Sequence, residues 1–151
     1  MQEQLLEATK EAVTEIASTM LFMEIAPTSE GSGTCPVVSD FSAVVGYSGA
    51  LQGSVRLAGA IPAALKLASG LMGEEQGDLS DDAKDAFAEL CNMVAGGVQT
   101  RVSPSIGQIN LTPPVVVSGS NHHVSGKSGE TVIYQIFNCE DVQFFVEIMY
   151  V

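Results

Sequence analysis

A chain of 151 residues, 46% hydrophobic and 16% charged, is long enough for one buried core and too short to expect two. Its apolar content excludes disorder for most of its length. Eighteen acidic residues against six Lys and Arg give a formal net charge of −12, which repels phosphate backbones and anionic lipid and argues against nucleic-acid and membrane-surface roles.

The N-terminal stretch, MQEQLLEATKEAV, is acidic and amphipathic and lacks the basic and apolar regions of a signal peptide. No run of about 18 apolar residues offers a membrane span. Glu3 to about Met23 reads as a helix with Leu5, Ala8, Ala12, Ile16 and Met20 on one side. Pro27 to Gly33, PTSEGSG, reads as the loop that ends it. Two strand candidates follow, about Val37 to Ser48 and Gly49 to Ala58, with a hairpin turn at Tyr47-Ser48-Gly49-Ala50. In the second, Leu51, Gly53, Val55 and Leu57 alternate with Gln52, Ser54 and Arg56, the pattern of a half-exposed strand. Pro62 opens a short helix through Met72, with Leu65, Ala68 and Met72 as its apolar side and Gly73 closing it. Glu74 to Leu79 is an acidic linker.

Ser80 to Val102 reads as one long helix, with Ser80 as N-cap and Asp81 and Asp82 at the positive end of its dipole. Beyond Pro104 strands are expected at Gly107 to Leu111, Val115 to Ser118, Thr131 to Asn138 and Val142 to Val151. The last two pair as a hairpin around Cys139, Glu140 and Asp141. The order predicts a single α+β domain over residues 1–151, with helices packed on a largely antiparallel sheet.

Familiar chemistry is missing from this chain. There is no phosphate loop with a Lys, no dinucleotide fingerprint and no zinc spacing of Cys or His. His122 and His123 are adjacent, so in extended chain they point to opposite faces; they read as structural or turn-stabilising. Cys35, Cys91 and Cys139 are odd in number and far apart, which suits free thiols in a reducing cytoplasm. Cys91 falls near the apolar side of its helix and reads as a core thiol. Ser120 has no nucleophile elbow around it.

The long helix carries two stripes. At about 100° per residue, Ala83, Phe87, Leu90, Val94 and Val98 fall roughly 100–180° round from Glu89, an apolar face spaced for burial. Asp85, Glu89, Asn92, Gly96 and Gln99 run down the opposite side. On spacing alone that strip reads as a solvated face. Asn is a poor residue for a helix interior, however, and Gly96 and Gly97 each cost about 1 kcal/mol there. On the wheel Gly96 lies between Glu89 and Asn92 and one turn further on, where a missing side chain leaves a notch for another backbone. The plainer alternatives are that the glycines permit close packing on the sheet or that the helix ends there. A slight internal echo pairs Glu15 with Glu89 and Ser18 with Asn92.

Glu89-Leu90-Cys91-Asn92-Met93-Val94-Ala95-Gly96 resembles the signature helix of the CheC/CheX/FliY chemotaxis phosphatases, Glu-x-x-Asn followed by a small or Gly-rich turn. Leu71-Met72-Gly73-Glu74-Glu75 is similar to the preceding helix end and acidic linker of CheX members, and Pro113 to His122 to the strand and turn that follow. The resemblance covers roughly Gly49 to the C-terminus, and its single motif copy points to the CheX branch. It implies a cytoplasmic phosphatase for the aspartyl phosphate of a CheY-type receiver. Glu89 and Asn92 would be the catalytic pair, with Asp85, Met93 and Gly96 in contact with the partner. It also implies no cofactor or metal of this chain's own, a divalent metal on the partner receiver, and a homodimer formed through the sheets. A non-catalytic receiver-binding or flagellar-switch adaptor, and an unrelated small-molecule binding module, remain as alternatives.

Overall fold

The computed structural model describes residues 1–124 and 128–151. Two helices cross one face of a seven-stranded antiparallel sheet, with a shorter third helix beside them. The elements are α1 (Gln2–Ile16), β1 (Ile25–Ser32), β2 (Phe41–Gly49), β3 (Gly53–Gly59), α2 (Ile61–Met72), α3 (Asp81–Ile106), β4 (Ile109–Leu111), β5 (Val115–Ser118), β6 (Thr131–Cys139) and β7 (Val142–Tyr150). Strand order is β1-β6-β7-β3-β2, and β4 and β5 both pair with the outer side of β2. The α+β expectation therefore holds, including the β6–β7 hairpin.

Alternation decides what each strand buries. Val55 and Leu57 of β3, Phe144, Val146 and Ile148 of β7, and Ile133 and Phe137 of β6 face the helices and form the main core with Leu5, Ala12, Phe87, Leu90, Val94 and Val98. Phe87 of α3 meets Phe41 of β2 edge-on, ring centres 5.1 Å apart. A second, smaller cluster of Cys35, Ala58, Ile136 and Phe145 lies apart from it. There Arg56 is not half-exposed, as the alternation in β3 suggested, but buried. It stands directly across from Glu147 on β7, and their side chains pair at 3.0 and 3.2 Å. Its other amino group donates to Ser39 and Ser42 at 3.0 Å, and its guanidinium lies over the Phe145 ring. His122 closes this network, one ring nitrogen 2.7 Å from the Ser42 hydroxyl and the other donating to the Gly119 carbonyl. That is the turn-stabilising role expected of it.

Four further expectations are corrected. PTSEGSG is a strand, not a loop: β1 pairs with β6, with a bulge between Pro27 and Glu30. An edge strand needs hydrogen bonds on one side alone, so it tolerates Pro27 and an exposed polar sequence. Gly31 lets the Tyr134 ring lie across the strand, where any Cβ would strike the hydroxyl. The first helix does not continue regularly to Met23. Ala17–Leu21 widen into a π turn and Phe22 adopts φ 53°. The hydroxyls of Ser18 and Thr19 both bond the Glu15 carbonyl there, a local competitor of the α-helical ladder.

α3 runs four residues beyond Val102, through Pro104. The ring removes one backbone donor near the helix end, and Gly107 at φ 110° stops the helix. Finally, α2 buries Ala63, Ala64, Leu67 and Ala68, so of the expected apolar side only Ala68 is fully inside. The small residues allow close approach to the sheet, Ala63 lying where a Cβ on Gly59 would come within 3.1 Å.

Candidate functional site

α3 is built for support on one side and access on the other. Ser80 caps it, its hydroxyl accepting from the Ala83 amide at 3.2 Å, with Asp81 and Asp82 in the first turn. Ala83, Phe87, Leu90, Val94 and Val98 are all buried, with Cys91, Ala95 and Val102. Burial pushes the Cys91 thiol up to about 12, and its Sγ donates to the Ala43 carbonyl at 3.3 Å, so it is a core thiol and not a nucleophile.

On the other side Asp85 and Glu89 are exposed, and Asn92 and Gly96 are half-buried. The side chains of Asp85, Glu89 and Asn92 make no hydrogen bond or ion pair among the described residues. Glu89 and Asn92, three apart on a helix, hold their Cβ atoms about 5–6 Å apart on one face. Met93 is half-buried and packs partly against the main core. Gln99, the last member of the strip, is used by the fold: its amide donates to the Ile109 carbonyl of β4 at 2.6 Å.

The two glycines do different things. A Cβ on Gly97 would sit 2.7 Å from Ala12 Cβ, so this glycine brings α1 and α3 into close contact. A Cβ on Gly96 would meet nothing within 4 Å. The helix continues for ten residues past Gly96, so neither glycine marks its end. Close packing thus explains Gly97, against α1 and not against the sheet, and leaves Gly96 as an open notch beside Glu89 and Asn92.

The echo in α1 yields no second open pair. Glu15 is held by Arg101 of α3, which also pairs with Glu11, and the Ser18 hydroxyl turns back to the Glu15 carbonyl. Sequence reasoning missed these ties, and the bond from the Tyr47 hydroxyl to the Ala95 carbonyl at 3.0 Å. The Arg101 pairs and the Tyr47 bond join residues far apart in the chain, and no local pattern marks them. Among the described residues no group of three or more His, Cys, Asp or Glu could hold a metal ion, and no helix is long and apolar enough to cross a membrane.

Residues 41–138, more than half of the chain, match the family model described as chemotaxis phosphatase CheX. The chain belongs to this family. The matched region runs from β2 to the penultimate residue of β6 and includes all of α3; α1, β1, the segment before β2, and β7 lie outside it. Over 77 residues the chain is 36% identical to the CheY-P phosphatase CheX of Thermotoga maritima, an alignment that spans half of this chain and half of that protein. The crystal structure of the chemotaxis protein CheX of Desulfovibrio desulfuricans superimposes with a TM-score of 0.86 at 26% identity, over 97% of this chain and 99% of that one. The CheX of Borrelia burgdorferi, solved as a complex with CheY, BeF3 and Mg2+, matches with a TM-score of 0.77 at 26% identity, over 98% and 96%.

Proposed function

We propose that this CheX-family chain hydrolyses the aspartyl phosphate of a CheY-type receiver by inserting Glu89 and Asn92 into the partner's active site. The observation that carries this reading is the pair itself: an acid and an amide on one accessible helix face, both without partners among the described residues, beside the open notch at Gly96. The CheY-P phosphatase activity of the Thermotoga relative and the CheX–CheY complex of the Borrelia protein support the class of partner.

The chemistry asks little of the inserted residues. In the step, a water oxygen bonds to phosphorus as the bond from phosphorus to the aspartyl oxygen breaks. Inorganic phosphate leaves carrying one of the water's two protons, the other passes to phosphate or to solvent, and the carboxylate is restored. The charge on the phosphoryl oxygens falls to a divalent metal and a Lys on the receiver, so the gain available to a hydrolase is placement of the water. A carboxamide accepts from and donates to that water, which gives Asn92 its role. Glu89, one turn away, pairs with the receiver's Lys and fixes the approach. Asp85, Met93 and Gly96 extend the contact. The same reading includes a homodimer formed through the sheets; Val115 and Val116 of β5 lie exposed at the sheet edge.

Phosphate release from a phosphorylated receiver tests this directly. Asn92→Ala is expected to lower kcat about 100-fold with binding retained, and Glu89→Ala to raise KM about tenfold. Equal acceleration by wild type and Asn92→Ala rejects the mechanism. Receiver binding without phosphate release by either protein identifies an adaptor instead.

A further inference from the structure

We propose that Tyr47 is a positioning residue for the reaction, setting the rotation of α3 about its own axis and with it the direction in which Asn92 projects. This rests on the phosphatase reading above and deepens it. The contact between α3 and the sheet is mostly apolar, and apolar burial has no direction. Phe87, Leu90, Val94 and Val98 would hold the helix down through a range of small rotations. Hydrogen bonds are directional, and α3 makes two of them to β2 from its buried side. The Cys91 thiol donates to the Ala43 carbonyl at 3.3 Å, and the Tyr47 hydroxyl donates to the Ala95 carbonyl at 3.0 Å.

Cys91 and Ala95 are the residues immediately before Asn92 and Gly96. The two ties therefore bracket the outward pair from behind, one helical turn apart. The thiol is the weaker donor, which leaves Tyr47 as the stronger of these two; the Gln99 bond to the Ile109 carbonyl acts a turn further on, past the glycine step. Its place also matters: Ala95 precedes the Gly96–Gly97 step, where the backbone has least side-chain restraint. Tyr47 is buried, and burial raises its pKa, so the hydroxyl keeps its proton and remains a donor throughout the neutral range. The Ala95 carbonyl lies in the interior of α3 and keeps its place in the helical ladder. Loss of the Tyr47 hydroxyl thus orphans no group, and its structural effect is small. Its effect on a residue that must hold a water in line is large, because displacement by about 1 Å costs about 100-fold in rate.

The test is steady-state hydrolysis of a CheY-type receiver charged with acetyl phosphate, with Tyr47→Phe, Val98→Ala and Asn92→Ala compared against wild type. Tyr47→Phe is expected to lower kcat about tenfold while KM stays within about twofold, with Tm lower by about 2–4 °C. Val98→Ala, which opens a cavity in the same helix–sheet contact without touching a hydrogen bond, is expected to lower Tm further and to change kcat less than Tyr47→Phe. Wild-type kcat in Tyr47→Phe overturns the proposal. So does a loss of activity in both variants that simply follows their Tm. If Asn92→Ala retains wild-type kcat, the phosphatase reading fails first and independently.

Discussion

Cys91 and Asn92 are neighbours with opposite fates, and one helical step of about 100° separates them. The thiol lies against β2 with its proton held by burial; the half-buried amide on the open side has no partner among the described residues. The thiol has a measurable consequence. A buried acid whose folded pKa is raised stabilises the fold while the pH is below its unfolded value and loses that contribution as pH rises towards the folded one. For Cys91 the window runs from 9.0, its ordinary value, to about 12. Thermal stability is expected to fall across that range, by up to about 1.4 kcal/mol per pH unit from this group. Cys91→Ser, which cannot ionise there, should flatten the decline, as followed by circular dichroism. At this scale much was legible. The wheel separated Glu89 and Asn92 from the core stripe without any coordinates. It also placed Gly96 beside them, but could not assign Gly97 its role, because that depends on Ala12, some 85 positions earlier in the chain.

Elements with a strong period were readable, and those made by long-range pairing were not. α3 and the β6–β7 hairpin carry apolar repeats that local sequence reveals. β1 carries none, because an exposed edge needs no buried side, and its partner β6 lies over a hundred residues away. Arg56 looked like a solvent-facing strand position because the residue that neutralises it stands on another strand, 91 residues on. Within α3 the glycine step divides support from access, and substitution should separate the two. Gly97→Ala forces a methyl against Ala12 and is expected to destabilise the protein by about 1–3 kcal/mol, partly offset by better helix propensity. Gly96→Leu should leave the fold as stable or gain about 0.5–1 kcal/mol, since its Cβ meets open space. On the phosphatase reading it should nevertheless lower kcat/KM about tenfold or more by filling the notch. Chemical denaturation beside the phosphate-release assay measures both; a Gly96→Leu protein with full activity would exclude docking over that notch.

Across the whole molecule, the helices cover one face of the sheet, while a buried polar network ties the central strands to the chain at Ser39 and His122. Arg56 and Glu147 lie at its centre, directly opposed on β3 and β7 and both buried. Removing one partner strands the other charge in a low dielectric, so Arg56→Met or Glu147→Gln alone should cost about 3–5 kcal/mol. Replacing both with Met should recover most of that, because two desolvated ions are exchanged for apolar packing. Urea denaturation of the two singles and the double measures the coupling, and additive losses would show the ions to be independent. The pairing also constrains descent. A lineage that begins with this couple cannot abandon it one substitution at a time without passing through a damaged intermediate, so in sister sequences these two positions should alter together, while the acid and amide on the far side of the molecule remain free to drift or persist on their own account.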